Sequence, residues 1–170
     1  MAPVVVSQYS SPIGRILAAC HNERIIKIAL PSESDESVYT WLQRQFPQDT
    51  MENHSASILT TLFGQLSDYF GRRLQKFDLP FEFFGTDFQK RVWQELLKIP
   101  HGKTRSYADI AQAIGKPTAY RAVAQANGSN SLAIAIPCHR VINSDGALGG
   151  YSGHIERKKW LLRHEQTQPN

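Results

Sequence analysis

Thiols are scarce in this 170-residue chain: Cys20 and Cys138 are its two cysteines. Two are too few for a disulfide framework, and their scarcity predicts a reduced intracellular setting. There is no CxxC pair and no HExxH, and the six histidines are scattered, so the sequence predicts no built-in metal. No apolar run approaches the length of a membrane span. The opening MAPVVVSQYS has neither the basic stretch nor the apolar core of a secretion signal. These absences set aside disulfide scaffolds, membrane proteins and zinc hydrolases. What is present, 41% hydrophobic and 20% charged residues, describes a globular protein of one ordinary domain or two small ones.

The net charge of +4 is uneven. Residues 1–85 hold seven Lys+Arg against nine Asp+Glu, and residues 86–170 hold twelve against six. A basic second half suits a polyanionic partner, nucleic acid first, although a solvated basic surface gives the same count.

Residues 1–84 read as a small α+β scaffold domain with an antiparallel sheet and helices. VVVSQY, RILAACH and RIIKIAL have the pattern of short strands, and SSPIG and HNE supply turns. SDESVYTWLQRQF places Val38, Trp41, Leu42 and Phe46 at helical spacing. SILTTLFGQLSDYF does the same with Ile58, Leu62, Leu66, Tyr69 and Phe70. Cys20 falls in a strand and reads as buried rather than reactive. DLPFEFFGT breaks the pattern and marks the boundary.

Residues 85–170 read as a mostly helical domain. Thr86 and Gln89 form a capping box ahead of DFQKRVWQELLKI, whose expected buried face is Phe88, Val92, Trp93, Leu96 and Leu97. Pro100 and Gly102 end that helix. Ser106 and Asp109 repeat the capping logic for SYADIAQAI, which Gly115 closes. Pro117 predicts the start of a further helix, TAYRAVAQAN, ended by Gly128. Two short capped helices separated by GKP outline a helix-turn-helix. The second carries Ala119, Ala122 and Ala126 with Arg121 among them. Small residues let a backbone approach closely, either a neighbouring helix or a narrow DNA groove with one arginine reaching in.

The stretch IPCHRVINSDGALGGYSG holds the second cysteine. Before it, SNSLAIAI is an apolar run expected to be buried. Pro137 fixes the backbone as it reaches Cys138. A thiol becomes a strong nucleophile when it loses its proton, so a nearby base matters. His139 is adjacent, but neighbouring side chains in extended chain face opposite ways, which predicts a relay through water rather than contact. The imidazole needs an acid to fix its tautomer, and Asp145, Glu156 and Glu165 are the candidates downstream.

Pro137-Cys138-His139-Arg140-Val141 resembles the active-site signature of the methylated-DNA–protein-cysteine methyltransferases, or O6-alkylguanine-DNA alkyltransferases. The likeness extends through GTDFQKRVWQELLKIPHGKTRSYADIAQAIGKP, the following R-A-V, NGSN, IPCHRVI, GGYSG and KKWLLRHE, nearly all of residues 85–165. It is weak over the first half. The resemblance implies a DNA repair protein that flips out O6-alkylguanine, and in some members O4-alkylthymine, and moves the alkyl group irreversibly to its own cysteine. It implies Cys138 as acceptor, His139 as its base through water, and Glu165 as the acid behind the histidine. It implies that Asn130 braces the cysteine turn and that Tyr107 protonates the leaving base. Arg121 resembles the finger that replaces the flipped nucleotide in the stack, with Ala122, Ala126, Tyr107 and Ser106 on the DNA side. Val141, Tyr151, Ser152 and Gly153 resemble the base pocket.

The implied partner is double-stranded DNA carrying O6-alkylguanine, met through the minor groove. The implied protein is a monomer without cofactor or membrane, cytoplasmic or associated with nucleoid or nuclear DNA, and cooperative binding on DNA is left open. Tyr120, Gln125 and His154 depart from the family pattern. The zinc ligands that some relatives carry in the first half are missing here. Two other classes fit parts of this pattern: a non-catalytic binder of alkylated DNA, and a cysteine hydrolase with the same Cys-His-Glu set. The first class replaces the cysteine, which is present here, and the second has no use for a basic helix-turn-helix.

Overall fold

The computed structural model describes residues 2–166, and the chain divides into two compact units between Phe84 and Gly85. The fold is α+β. The first unit is a sheet with two helices. Strands β1 (Val4–Ser11), β2 (Gly14–His21) and β3 (Arg24–Ala29) pair antiparallel in sequence order. The tight turn before β3 places Asn22 and Glu23 at φ 49° and 59°, the left-handed pair that matches strand twist in a two-residue hairpin.

A fourth strand, β4 (Met51–Asn53), was not expected. It lies on the other side of β1 and runs parallel to it, so the sheet is mixed rather than antiparallel throughout. Three residues of mixed polarity carry no periodic signal; the free edge of β1 recruits their backbone instead. Helix α1 (Asp35–Gln45) sends Val38 and Leu42 onto Val4, Val6, Leu17 and Ala19. Helix α2 (Ser57–Phe70) serves the opposite face, where Phe63 stacks on Tyr9 at 5.5 Å. Strands buried on both faces account for near-continuous apolar runs such as RIIKIAL. Cys20 is buried in β2.

The second unit is built on helices. The capping box of Thr86 and Gln89 opens α3 (Asp87–Leu96) as expected, and Val92, Trp93 and Leu96 are buried. Leu97 is not part of that face. It is the C-cap, where the chain leaves the helical path, and 47% of it is exposed. Ser106 and Asp109 cap α4 (Tyr107–Ala113), and Gly115 leaves it at φ +76°.

The next helix, α5, spans Tyr120–Gly128, so Pro117 does not start it. Pro117 occupies the second position of a turn closed by Ala119 N–H donating to the Lys116 carbonyl at 2.9 Å. Trp93 Nε1 donates to the Ala126 carbonyl at 2.8 Å and locks α3 to α5. Leu132–Ile136 is buried, as its composition predicts, but as linked turns with Ile134 at φ 70° rather than a strand. A single 3-10 turn, Cys138–Arg140, follows. It leads into β6 (Val141–Ile142), paired parallel with β5 (Arg105–Ser106), and α6 (Ile155–Gln166) completes the unit.

Candidate active site

The cysteine turn is fixed from behind. Asn130 Nδ2 donates to the Ile136 carbonyl at 2.9 Å, while its Oδ1 accepts the Leu132 N–H at 2.9 Å. One amide thus ties both ends of the buried loop that delivers Pro137 and Cys138. Cys138 is a free thiol, 4% exposed. Burial pushes it up from the ordinary thiol range, and hydrogen bonds from Asn130 and Tyr151 and the Lys158 charge pull the other way. A thiol in this setting rests protonated and needs a base.

His139 is the adjacent residue, and the 3-10 turn replaces the extended backbone that the sequence reading assumed. The imidazole is fully buried, with Nε2 2.6 Å from Glu165 Oε1. Arg140 grips the same carboxylate, through Nε to Oε2 at 2.8 Å and Nη2 to Oε1 at 2.9 Å, and gives Nη1 to the Ile99 carbonyl at 2.7 Å. His139 and Arg140 together hold Glu165 well below the usual carboxylate range despite its burial. Burial lowers His139, so the ring is neutral and the cluster of one arginine and one carboxylate carries no net charge. An ionised carboxylate only accepts, so Nε2 carries the ring proton. The lone pair is therefore on Nδ1, which is buried and makes no hydrogen bond among the described residues. That is the state a general base needs. Of the other acids, Asp145 Oδ1 accepts the Ala147 N–H, and Glu156 pairs with Lys159 on the surface.

A cavity of about 360 Å³, within the range of small-molecule pockets, lies beside the cysteine turn: Asn127, which lines it, donates to the Cys138 carbonyl, while Cys138, His139 and Glu165 are not among its lining residues. Tyr107, Tyr120, Arg121, Asn127, Tyr151 and Ser152 are among its lining residues. Tyr107 is the first residue of α4. Burial and the nearby Cys138 raise its phenol, and a bond to Asn127 lowers it. Arg121 and Ala122 are exposed near the start of α5, with the Arg121 guanidinium 6.0 Å from the Tyr120 ring.

Three expected site residues are placed differently. Ala126 is buried, and its backbone carbonyl accepts Trp93 Nε1 of α3, so the packing of α5 on α3 accounts for its place. Val141 is buried and does not line the cavity, and its carbonyl accepts Lys158 Nζ at 2.6 Å. Gly153 is buried, and its carbonyl accepts Arg157 Nη1 at 3.2 Å. Ser106 keeps its hydroxyl on the α4 cap, accepting the Asp109 N–H at 2.9 Å.

The sequence reading missed Arg140 and Lys158. Lys158 is fully buried, and its Nζ also donates to the Leu148 and Gly150 carbonyls, anchoring the loop that carries the cavity wall. Burial lowers it to about 8, while Cys138 favours its charge. The signal was available. Lys158, Leu161, Leu162 and Glu165 stand at i, i+3, i+4 and i+7, an apolar stripe interrupted by two charges that face inward.

Comparison with known proteins gives the family. Residues 87–167 match the family model described as 6-O-methylguanine DNA methyltransferase, DNA binding domain, and residues 4–83 match its ribonuclease-like domain. The chain belongs to the 6-O-methylguanine DNA methyltransferase family. It is 45% identical over 157 residues to a methylated-DNA–protein-cysteine methyltransferase of Methanosarcina barkeri, covering 92% of this chain and 94% of that one. It is 41% identical to the constitutive enzyme of Bacillus subtilis, covering 92% of each. Among solved structures, Mycobacterium tuberculosis O6-methylguanine methyltransferase aligns with a TM-score of 0.84 and 40% identity, over 98% of this chain and 95% of that one. Mycobacterium tuberculosis OGT in complex with DNA aligns with a TM-score of 0.83 and 38% identity, over 95% and 92%.

Proposed function

We infer that this protein repairs DNA by transferring the alkyl group of O6-alkylguanine to Cys138, once per molecule. The observation that carries the reading is the cluster beside the cavity: a buried free thiol, a neutral histidine with an unused Nδ1 lone pair, and a carboxylate fixing its tautomer. The sulfur–carbon bond forms as the carbon–O6 bond breaks, and the electron pair stays on the base. The thiol proton moves through water to His139 Nδ1, and Tyr107 gives a proton to the departing guanine. Return of the proton from His139 to the Tyr107 oxygen through water closes the balance. The product is a thioether, which lacks the electrophilic carbonyl that lets a thioester be hydrolysed, so the cysteine stays capped.

The DNA side of the reading rests on α4 and α5 and on exposed Arg121. The alkyl carbon is out of reach inside a duplex, so the nucleotide must leave the stack, and an arginine entering from the minor groove fills the gap. Tyr151 and Ser152 supply the wall of the base pocket. The protein acts on DNA as a monomer, without cofactor. Among the described residues no helix is long and apolar enough to cross a membrane, and no cluster of His, Cys, Asp or Glu is arranged to hold a metal ion.

The test is the intact mass after mixing with a duplex containing one O6-methylguanine. The expected result is a gain of one methylene, on the peptide containing Cys138, saturating at one per protein. No gain with the lesion still bound would make this a damage-binding protein and end the catalytic reading.

A further inference from the structure

One side chain of the cavity has no part in the reaction so far. Asn127 stands on the last turn of α5 and is 4% exposed. It lines the cavity together with Tyr107 and Arg121. Its Nδ2 donates to the Cys138 carbonyl at 3.2 Å. A carbonyl only accepts, so this bond fixes which way the amide points. Its Oδ1 is buried and makes no hydrogen bond among the described residues. Tyr107 lines the same cavity, and the Asn127 side chain is near enough to lower its phenol. With Nδ2 on the Cys138 carbonyl, the second proton of that nitrogen is the one Asn127 has to offer the phenol oxygen.

This arrangement has a chemical consequence. A phenol hydroxyl accepts and donates. Once its accepting side is taken by an amide N–H, its own proton is left to be given elsewhere, and the open side is the cavity. When that proton leaves, the oxygen becomes a phenolate, and the bond from Asn127 becomes charge-assisted and stronger. A donor aimed where charge develops acts on the barrier rather than on binding. The same nitrogen holds the carbonyl of the nucleophile. One planar group therefore sets the spacing between the attacking residue and the proton donor.

We propose that Asn127 is a positioning residue for alkyl transfer: its amide nitrogen bridges the Cys138 carbonyl and the Tyr107 hydroxyl, aims the Tyr107 proton at the flipped base and stabilises the phenolate left behind. The inference rests on Tyr107 being the proton donor of the function proposed above. Asn127 keeps its own protons throughout; the proton transferred is that of Tyr107, and the base receives it as the carbon–O6 bond breaks.

A purely structural asparagine would slow every substrate alike, so the test varies the need for protonation. Single-turnover methyl transfer is measured on the full chain at saturating duplex. One duplex carries O6-methylguanine, and the other its 8-aza analogue, whose electron-poor ring departs with less help. Asn127→Asp keeps the shape but puts an acceptor against the phenol, and Asn127→Leu removes both bonds. The expected loss on O6-methylguanine is about tenfold to a hundredfold in both variants, and less than about threefold on the analogue. In Asn127→Leu, which adds no charge beside the sulfur, the rate at which iodoacetamide labels Cys138 stays within about twofold of wild type. Equal losses on both duplexes, or no loss on either, overturn the proposal. Wild-type protein that leaves both duplexes methylated overturns the function itself, a distinct result from a variant effect that fails to depend on the leaving base.

Discussion

His139 Nε2 meets Glu165 Oε1 at 2.6 Å with both side chains buried, and Arg140 holds the other oxygen of the same carboxylate at 2.8 Å. Glu165 thus has two tasks, fixing a tautomer and neutralising a buried guanidinium. Glu165→Gln removes the charge and turns one acceptor into a donor facing donors. Leaving Arg140 buried without its counter-ion should destabilise the protein by about 3–5 kcal/mol. Alkyl transfer should fall by about a hundredfold or more as His139 loses its fixed proton. Urea melts and single-turnover rates, read on the same sample, check both figures. A variant with wild-type stability would mean that water already reaches Arg140.

The same pair sets the acid response. Glu165 is depressed in the folded state, so its stabilisation is present above the ordinary glutamate value of 4.5 and is lost as pH falls below it. His139 is also depressed, and a base that resists protonation when folded penalises the fold in acid. Its loss begins as pH drops through the ordinary histidine value of 6.5. Both effects have one sign. Stability should be level between about pH 7 and 8, decline below about 6.5 and fall more steeply below about 4.5. In His139→Asn the decline between those two values should become shallower, with His101, which burial also lowers, supplying the remainder, and thermal melts across the pH series follow it.

The fold was legible where one principle ruled locally. Thr86 with Gln89 and Ser106 with Asp109 announce their helices because the caps are satisfied within four residues. Residues 4–29 announce strands because their apolar runs are bounded by turns. Strand β4 did not, since Met51–Asn53 pairs only because β1 offers an edge 47 residues away in sequence. The site divided in the same way. Cys138 and His139 stand in one short motif, and Glu165 came from family likeness rather than from spacing. Ala126 looked like surface because small residues suit a DNA groove and a helix contact equally, and only the position of Trp93 decides between them. Lys158 was passed over because lysine is rarely buried, which made its place on an apolar stripe the informative observation.

Lys158 should set the alkaline side of the reaction. Its charge faces Cys138, and it is lowered to about 8, so the charge is present below that pH and fades above it. Lys158→Met keeps the volume and removes the charge. The thiol then has less support for its thiolate form, and transfer at pH 7 should drop by about tenfold or more. Wild-type rates should rise with pH as the thiol ionises and bend over above about 8, whereas the variant should rise without that bend. A variant profile parallel to wild type across pH 6–9 would remove Lys158 from the chemistry and leave it as the anchor of the Leu148 and Gly150 carbonyls.

Arg121 separates DNA handling from chemistry. It is exposed on α5 and makes no ion pair among the described residues, so replacing it should leave the fold intact. Arg121→Ala should slow transfer from a methylated duplex by about 1–3 kcal/mol and reduce the salt dependence of binding by about one counter-ion. Transfer from a free alkylated base needs no flipping and should stay within about twofold of wild type. Equal losses on duplex and free base would place Arg121 in the pocket instead of the stack.

His154 is a position beside the cavity where the structure departs from local preference without any visible return in chemistry. It takes φ 71° between the cavity wall and α6, and its N–H donates to the Tyr151 carbonyl at 3.0 Å. The imidazole is exposed. A side chain in the left-handed region crowds its own backbone, at roughly 1–2 kcal/mol, and glycine avoids this while losing more freedom on folding. His154→Gly should therefore raise stability by about 0.5–1 kcal/mol, with the transfer rate within about twofold of wild type. Chemical denaturation of the two proteins side by side decides it. A destabilised variant would mean that the imidazole makes a contact worth more than the strain it imposes, and the cavity rim beside Ser152 is where to look for it.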